Sequence, residues 1–145
     1  MQKYEEVLNR FKEAEHKIHS LSYSTSMLFW DASTGAPKSG ADARSQAVGV
    51  LSGFQYQLLV NEQMNEDLNT LMANLDALDE VDRVLVKDAK KEYDKMTKIP
   101  MDEFQKYNML ISKSSIVWED DKAKSDFEMF RRNLTEVIDY LLKFA

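Results

Sequence analysis

Between Met27 and Leu51 the chain concentrates most of its helix-breaking residues. In MLFWDASTGAPKSGADARSQAVGVL, Gly35, Pro37 and Gly40 fall within six positions. Only four glycines and two prolines occur in all 145 residues, so little elsewhere would stop a helix. The stretch marks one true interruption. A segment ending in Trp30-Asp31 gives way to a loop, and a new helix opens near Ala41-Asp42-Ala43-Arg44.

Outside that loop, apolar residues recur at the three- and four-residue steps of amphipathic helices. Tyr4, Val7 or Leu8, Phe11, Ala14, Ile18 and Leu21 predict a first helix from Lys3 to Ser20. Tyr23, Met27, Leu28 and Trp30 predict a second over Ser22–Asp31, with Ser20 and Ser22 as caps between them. After the loop, Ala43 to Asn61 reads as a helix started by Asp42, with Ala47, Val50, Leu51, Phe54, Leu58 and Leu59 as its apolar face. Gly49 and Gly53 lie inside it, flanked by Ser45 and Ser52. Each glycine costs roughly 1 kcal/mol relative to alanine, which close approach of a neighbouring helix would offset.

A short helix carrying Met64, Leu68, Leu71, Met72 and Leu75 follows. Asp79–Lys98 comes next, with Val81, Val84, Leu85, Ala89, Tyr93 and Met96 on its stripe, until Pro100 stops it. Met101 to Lys124 predicts one long helix of about 36 Å, with Phe104, Tyr107, Leu110, Ile111, Ser114, Val117 and Trp118 along one side. Ser125 or Asp126 caps the last helix, whose apolar face is Phe127, Phe130, Leu134, Val137, Ile138, Leu141 and Leu142. No stop signal follows it, as expected of a chain cut in mid-fold. Strand-like alternation is missing. The expected fold is all-α, six to seven helices packed as an antiparallel bundle in one region, 1–145.

Charge narrows the function classes. With 25 acidic against 19 basic residues and a net charge of −6, no basic face is offered to nucleic acid phosphates. No basic amphipathic segment suits a membrane surface. The absence of cysteine removes disulfides and thiolate metal sites. The charged N-terminus, MQKYEEVLNRFKEAEHK, lacks the apolar core of a signal peptide, so a soluble, cytoplasmic protein is expected.

Motifs that would carry chemistry resolve into plainer readings. His16 and His19 sit three apart, without the glutamate and four-residue spacing of a zinc helix, and no third ligand is indicated. They are expected to face solvent. The acidic runs Asp76–Asp82 and Glu119-Asp120-Asp121 lack the glycine of a calcium loop and read as helix-start charges or solvated faces. Ser39-Gly40 and Ser52-Gly53 are not nucleophile elbows, and Gly35–Gly40 is not a phosphate loop. Trp30 is expected as a buried plug, with Arg44 pairing Asp31 or Asp42. No catalytic, cofactor-binding or metal residue is assigned from the sequence.

One resemblance extends further. Leu28-Phe29-Trp30-Asp31, Thr34, Pro37, Gly40-Ala41-Asp42-Ala43-Arg44 and Leu51-Ser52 follow in order. Lys91-Glu92-Tyr93-Asp94-Lys95 with Thr97-Lys98-Ile99-Pro100 comes next, then Trp118-Glu119 and Ser125-Asp126-Phe127 with Phe130. This series resembles the N-terminal region of the carboxypeptidase Taq family of zinc metallocarboxypeptidases. Two positions depart from the family pattern: Ala36 precedes the proline where methionine is usual, and Ser39-Gly40 replaces a Gly-Gly pair.

The resemblance implies a parent reaction in which a zinc-activated water attacks a C-terminal peptide bond. It also implies a role in walling the substrate groove. The family's HExxH helix, third zinc ligand and substrate-carboxylate residues have no counterpart here. The chain alone is therefore expected to be inert. Its partner is expected to be the missing catalytic portion, with peptide substrate bound only by the whole enzyme. Self-association through an exposed apolar face is the other expectation, that of a free-standing helical binding or regulatory module. A third reading, an enzyme built on unrecognised carboxylates, would show as peptide hydrolysis by this chain.

Overall fold

Serine and threonine hydroxyls that could cap a break instead bond back along the first helix. In the computed structural model, which describes residues 3–145, Ser20 Oγ donates to the His16 carbonyl at 2.8 Å, and Ser26 Oγ to Ser22 at 2.9 Å. Ser33 Oγ reaches Phe29 at 2.9 Å, and Thr34 Oγ1 reaches Trp30 at 2.8 Å. Hydroxyls satisfied four residues back leave the helix unbroken. The two helices expected over 3–31 are therefore one, α1 (Lys3–Thr34). It ends where Gly35 adopts φ +145°, a conformation L side chains rarely enter, and Ala36 N–H donates to the Asp31 carbonyl at 3.1 Å.

A single 3-10 turn, Lys38–Gly40, leads directly into α2 (Ala41–Leu59). Then come α3 (Glu62–Met72), α4 (Glu80–Met96), α5 (Met101–Lys124) and α6 (Phe127–Phe144). A second 3-10 turn, Leu75–Ala77, holds Leu75, which the sequence placed in α3. Among the described residues there is no strand, and the all-α expectation holds.

Helix ends follow their caps. Asn61 stitches two helices: its Nδ2 donates to the Gln57 and Leu58 carbonyls, both at 2.9 Å, while its Oδ1 accepts Met64 N–H at 2.8 Å. That dual role ends α2 two residues before the expected Asn61. Asp79 caps α4 by accepting Asp82 N–H at 2.8 Å. Asp126, rather than Ser125, caps α6 by accepting Glu128 N–H at 3.0 Å. Ser125 takes the left-handed turn at φ 54°. Asp42 sits inside the first turn of α2 and pairs with Lys113 at 2.8 Å instead of capping.

The chain divides into two compact units. Unit 1 takes residues up to Leu21 together with Phe54–Pro100; unit 2 takes Ser22–Gly53 with Met101–Ala145. Helices α1 and α2 each contribute to both.

Unit 1 holds a conventional apolar core. Phe11, Leu68, Leu71 and Val86 are fully buried, with Val7, Ile18, Leu59, Met64, Leu78, Ala89 and Met96 around them. Two buried carboxylates tie α1 to its neighbours. Arg10 grips Asp67 of α3 with both forks of its guanidinium, Nε to Oδ2 at 2.9 Å and Nη2 to Oδ1. Lys12 Nζ reaches Asp82 of α4 at 2.7 Å. Asp82, in an acidic run read from the sequence as helix-start charges or solvated faces, does lie in the first turn of α4, but as a buried ion-pair partner. Tyr56 Oη donates to the Ile99 carbonyl at 2.7 Å, fastening the residues before Pro100, and burial raises its pKa. On α4, Val81 and Val84 are exposed, contrary to the expected stripe. Ala89 and Met96 are buried as expected, and Val86, outside the expected stripe, joins them.

Unit 2 is built differently. Among the described residues, Val48 alone of the buried apolar side chains belongs to it. The face of α2 turned to α5 carries the small residues Ser45, Gly49 and Gly53, and Val48 and Ser52 nearby on α2 are also buried. Val50 and Phe54, expected in the core, are exposed. Ser45 Oγ donates to the Met109 carbonyl at 3.0 Å, and Gln105 Nε2 to the Gly49 carbonyl at 3.0 Å. A Cβ on Gly49 would lie 2.7 Å from Met109 Cγ, and one on Gly53 would collide with the Gln105 amide. The glycines do allow close approach, as the sequence suggested.

A double-mutant cycle follows from that geometry. Gly53→Ala gains about 1 kcal/mol of helix propensity but displaces Gln105, losing a hydrogen bond of about 0.5–1.5 kcal/mol. It should be near neutral alone and stabilising by about 1 kcal/mol in a Gln105→Ala background. Urea denaturation of the four proteins reads this directly. An equal effect of the alanine in both backgrounds would clear Gln105 of being the obstacle.

Helices α5 and α6 form an antiparallel hairpin. Lys143 pairs with Glu103 at 2.9 Å at one end, Tyr107 meets Tyr140 at a tilt and Phe144 edge-on next, and Trp118 meets Phe130 near the turn.

Candidate functional site

Residues singled out from the sequence do not converge. His16 and His19 are exposed on α1, where His19 Nε2 lies 3.8 Å from Glu15. Burial raises the Glu15 pKa, and the nearby His19 partly opposes that shift. Among the described residues, no three His, Asp or Glu side chains gather in a way that could hold a metal ion. The donor set of a zinc site is not met among the described residues.

Trp30 is 66% exposed and no plug. Arg44 pairs with neither Asp31 nor Asp42: both of its terminal nitrogens lie 3.3 Å from the Pro37 carbonyl. Gly40 leaves room for it, since a Cβ there would come within 2.9 Å of Nη1. Arg44 therefore braces the loop.

A cavity of about 320 Å³ beside this loop is lined by Ser33, Thr34, Lys38, Arg44 and Glu119. The buried Nε of Arg44 has no hydrogen-bond partner, while both hydroxyls bond α1 carbonyls and Lys38 pairs with Asp120. That hydrogen bond raises the Lys38 pKa and lowers that of Asp120.

What unit 2 offers instead is uncovered apolar surface. Tyr23, Met27 and Trp30 make an exposed stripe on α1 at helical spacing. On α6, Phe130, Val137, Tyr140 and Phe144 are half-buried. Phe127, Leu134, Ile138, Leu141 and Leu142 lie about a quarter-turn away around the helix, and all are exposed. The expected single apolar face of α6 is thus split into a half-covered and an open part. Unit 1 carries an open groove of about 480 Å³ between α1 and α2, lined by Lys17, Ser20, Leu21, Phe54, Gln57 and Leu58.

Sequence reasoning passed over one side chain. Asp121, read as part of a solvated acidic run, is only 5% exposed, and its Oδ2 has no hydrogen-bond partner. It lines a cavity of about 240 Å³ with Trp118, Phe127 and Phe130. The i, i+3 spacing of Trp118 and Asp121 was the available clue, since it puts both on one helix face.

Residues 10–145 match the family described as Carboxypeptidase Taq (M32) metallopeptidase. The chain belongs to that family. It corresponds to the N-terminal region, as the Trp30-Asp31 and Gly40–Arg44 segments suggested. Carboxypeptidase 1 of Bacillus subtilis is 35% identical over 128 residues, covering 88% of this chain and 26% of that protein. Thermostable carboxypeptidase 1 of Pyrococcus furiosus is 26% identical over 133 residues, covering 92% of this chain and 26% of the relative. A crystal structure described as BsuCP superposes with a TM-score of 0.84 at 33% identity, covering 99% of this chain and 28% of that one. The chain spans about a quarter of the length of these curated M32 relatives. None of its helices is long and apolar enough to cross a membrane.

Proposed function

We propose that this chain is the helical, groove-lining N-terminal part of a cytoplasmic zinc-dependent carboxypeptidase that removes C-terminal amino acids from peptides, and that its partner is the catalytic remainder of such an enzyme. The observation that carries this reading is the contrast between the units. Buried apolar side chains gather in unit 1, while most of the exposed large ones lie in unit 2, including the open faces of α1 and α6. Exposed apolar surface of this kind is what a docking partner covers. Membership of the M32 family, with curated relatives of which this chain spans about a quarter, supports reading that partner as the catalytic remainder of such an enzyme.

The test is a chimera in which this chain replaces the matching segment of the Bacillus carboxypeptidase. With zinc, the chimera should release C-terminal residues from peptides, and the 145-residue chain alone should release none. A folded, zinc-loaded chimera without activity would count against the proposal, as would hydrolysis by the chain alone. Charged substitutions at Ile138 and Leu141 should abolish chimera activity yet leave the helicity of the isolated chain unchanged, because both side chains are already exposed in it.

A further inference from the structure

The turn between α5 and α6 holds a small cavity of about 240 Å³. Three aromatic rings line it. Trp118 and Phe130 have centroids 4.7 Å apart at 55°, and Phe127 and Phe130 have theirs 5.7 Å apart at 60°. Asp121 and Asp126 also line the cavity. Asp126 accepts the Glu128 N–H with Oδ1, whereas Asp121 is more than nine-tenths buried with Oδ2 unpartnered. An unpaired acceptor on a buried carboxylate is costly. The cavity lies where the negative C-terminal end of α5 meets the positive N-terminal end of α6, so the two helix dipoles offset each other there.

Electron-rich rings and an unpaired carboxylate attract the same kind of ligand, a cation. The site already shows that preference internally. Lys122 Nζ stands 5.9 Å from the Trp118 ring centroid, within cation–π range. Size then limits the ligand. Pockets for small molecules occupy about 300–1,000 Å³, and 240 Å³ is below that range. One side chain fits better than a cofactor.

We infer that this cavity binds the cationic side chain of a lysine or arginine presented by a polypeptide, with Trp118, Phe127 and Phe130 around its charge and Asp121 as the counter-ion. Lys122 competes for the Trp118 face and is displaced on binding. The inference stands on the geometry of unit 2 alone and does not depend on carboxypeptidase activity. If a single water were all that met Asp121, the three rings would have no part in binding and the cavity would show no preference for charge.

The chain has two tryptophans. A Trp30→Phe background, changed at an exposed position, makes fluorescence report Trp118 alone. The probes are the blocked tripeptides acetyl-Gly-Lys-Gly-amide and acetyl-Gly-norleucine-Gly-amide, which differ in the ammonium group. The lysine peptide should give a saturable change that salt weakens, and the norleucine peptide should give none. Asp121→Asn should weaken lysine binding about tenfold. Lys122→Ala should tighten it several-fold by freeing the ring. Equal responses to the two peptides would overturn the inference. So would an Asp121→Asn protein, helical by circular dichroism, that binds as before. A Lys122→Ala protein with no saturable response would overturn it independently, because that surface change does not touch the core.

Discussion

Phe11→Ala should lower the unfolding free energy by about 3–5 kcal/mol, the usual cost of emptying a fully enclosed aromatic site. Phe11 has no solvent exposure and is the largest side chain in the fully buried set, sharing unit 1 with Leu68, Leu71 and Val86. Against a total stability of about 5–15 kcal/mol for an ordinary domain, that is a large share. The midpoint of urea denaturation should fall sharply, and slowly exchanging amides of α1, α3 and α4 should lose protection first. A loss below about 1 kcal/mol would mean that the core of unit 1 is not organised around this ring. Val81→Ala is the matched control: its side chain is 75% exposed, so the change should cost little.

Arg10→Met should be more damaging than Asp67→Asn, although both break the same ion pair. The reason is the unequal burial of the partners, with side-chain exposures of 49% for Arg10 and 5% for Asp67. Removing the arginine strands a buried carboxylate, for which breaking a pair costs about 3–5 kcal/mol. Gln63, which donates to Asp67 Oδ1 at 3.0 Å, should hold the loss toward the lower end. Removing the aspartate charge leaves a half-exposed guanidinium that water can solvate, so the cost should be nearer the 1.5–3 kcal/mol of a charged hydrogen bond. The raised pKa of Arg10 has the same origin, chiefly its hydrogen bond to Asp67. Chemical denaturation of both variants at neutral pH decides the order. If Asp67→Asn is the worse of the two, burial of the carboxylate is not what governs this contact.

Elements whose ends are fixed by local chemistry could be read along the chain. Pro100 leaves α5 beginning at Met101, Asp79 and Asp126 cap α4 and α6, and α5 runs over Met101–Lys124 as its stripe predicted. The break near Gly35–Gly40 was legible because glycine and proline are so rare elsewhere. Continuity of α1 was not legible. A serine offers the same hydroxyl to a cap or to a carbonyl four residues back, and only the folded helix shows which bond forms.

Site residues were harder to read than helices, because a heptad pattern names apolar positions without saying which of them find a neighbour. On α2 the large residues Val50 and Phe54 looked like core, yet the small Ser45, Gly49 and Gly53 meet α5, since only a small-residue face lets the two backbones come close. Trp30 carries part of the family resemblance and stays in solvent here. Asp121 looked solvated in an acidic run, but its burial beside Trp118 and Phe130 comes from the α5–α6 turn bringing residues of two helices together. By itself the sequence determined the all-α class, most helix boundaries and membership of the M32 family, because those depend on neighbours in the chain. Which face of each helix is covered, and which carboxylates are paired or stranded, was decided by tertiary structure alone, because burial depends on residues far apart in sequence.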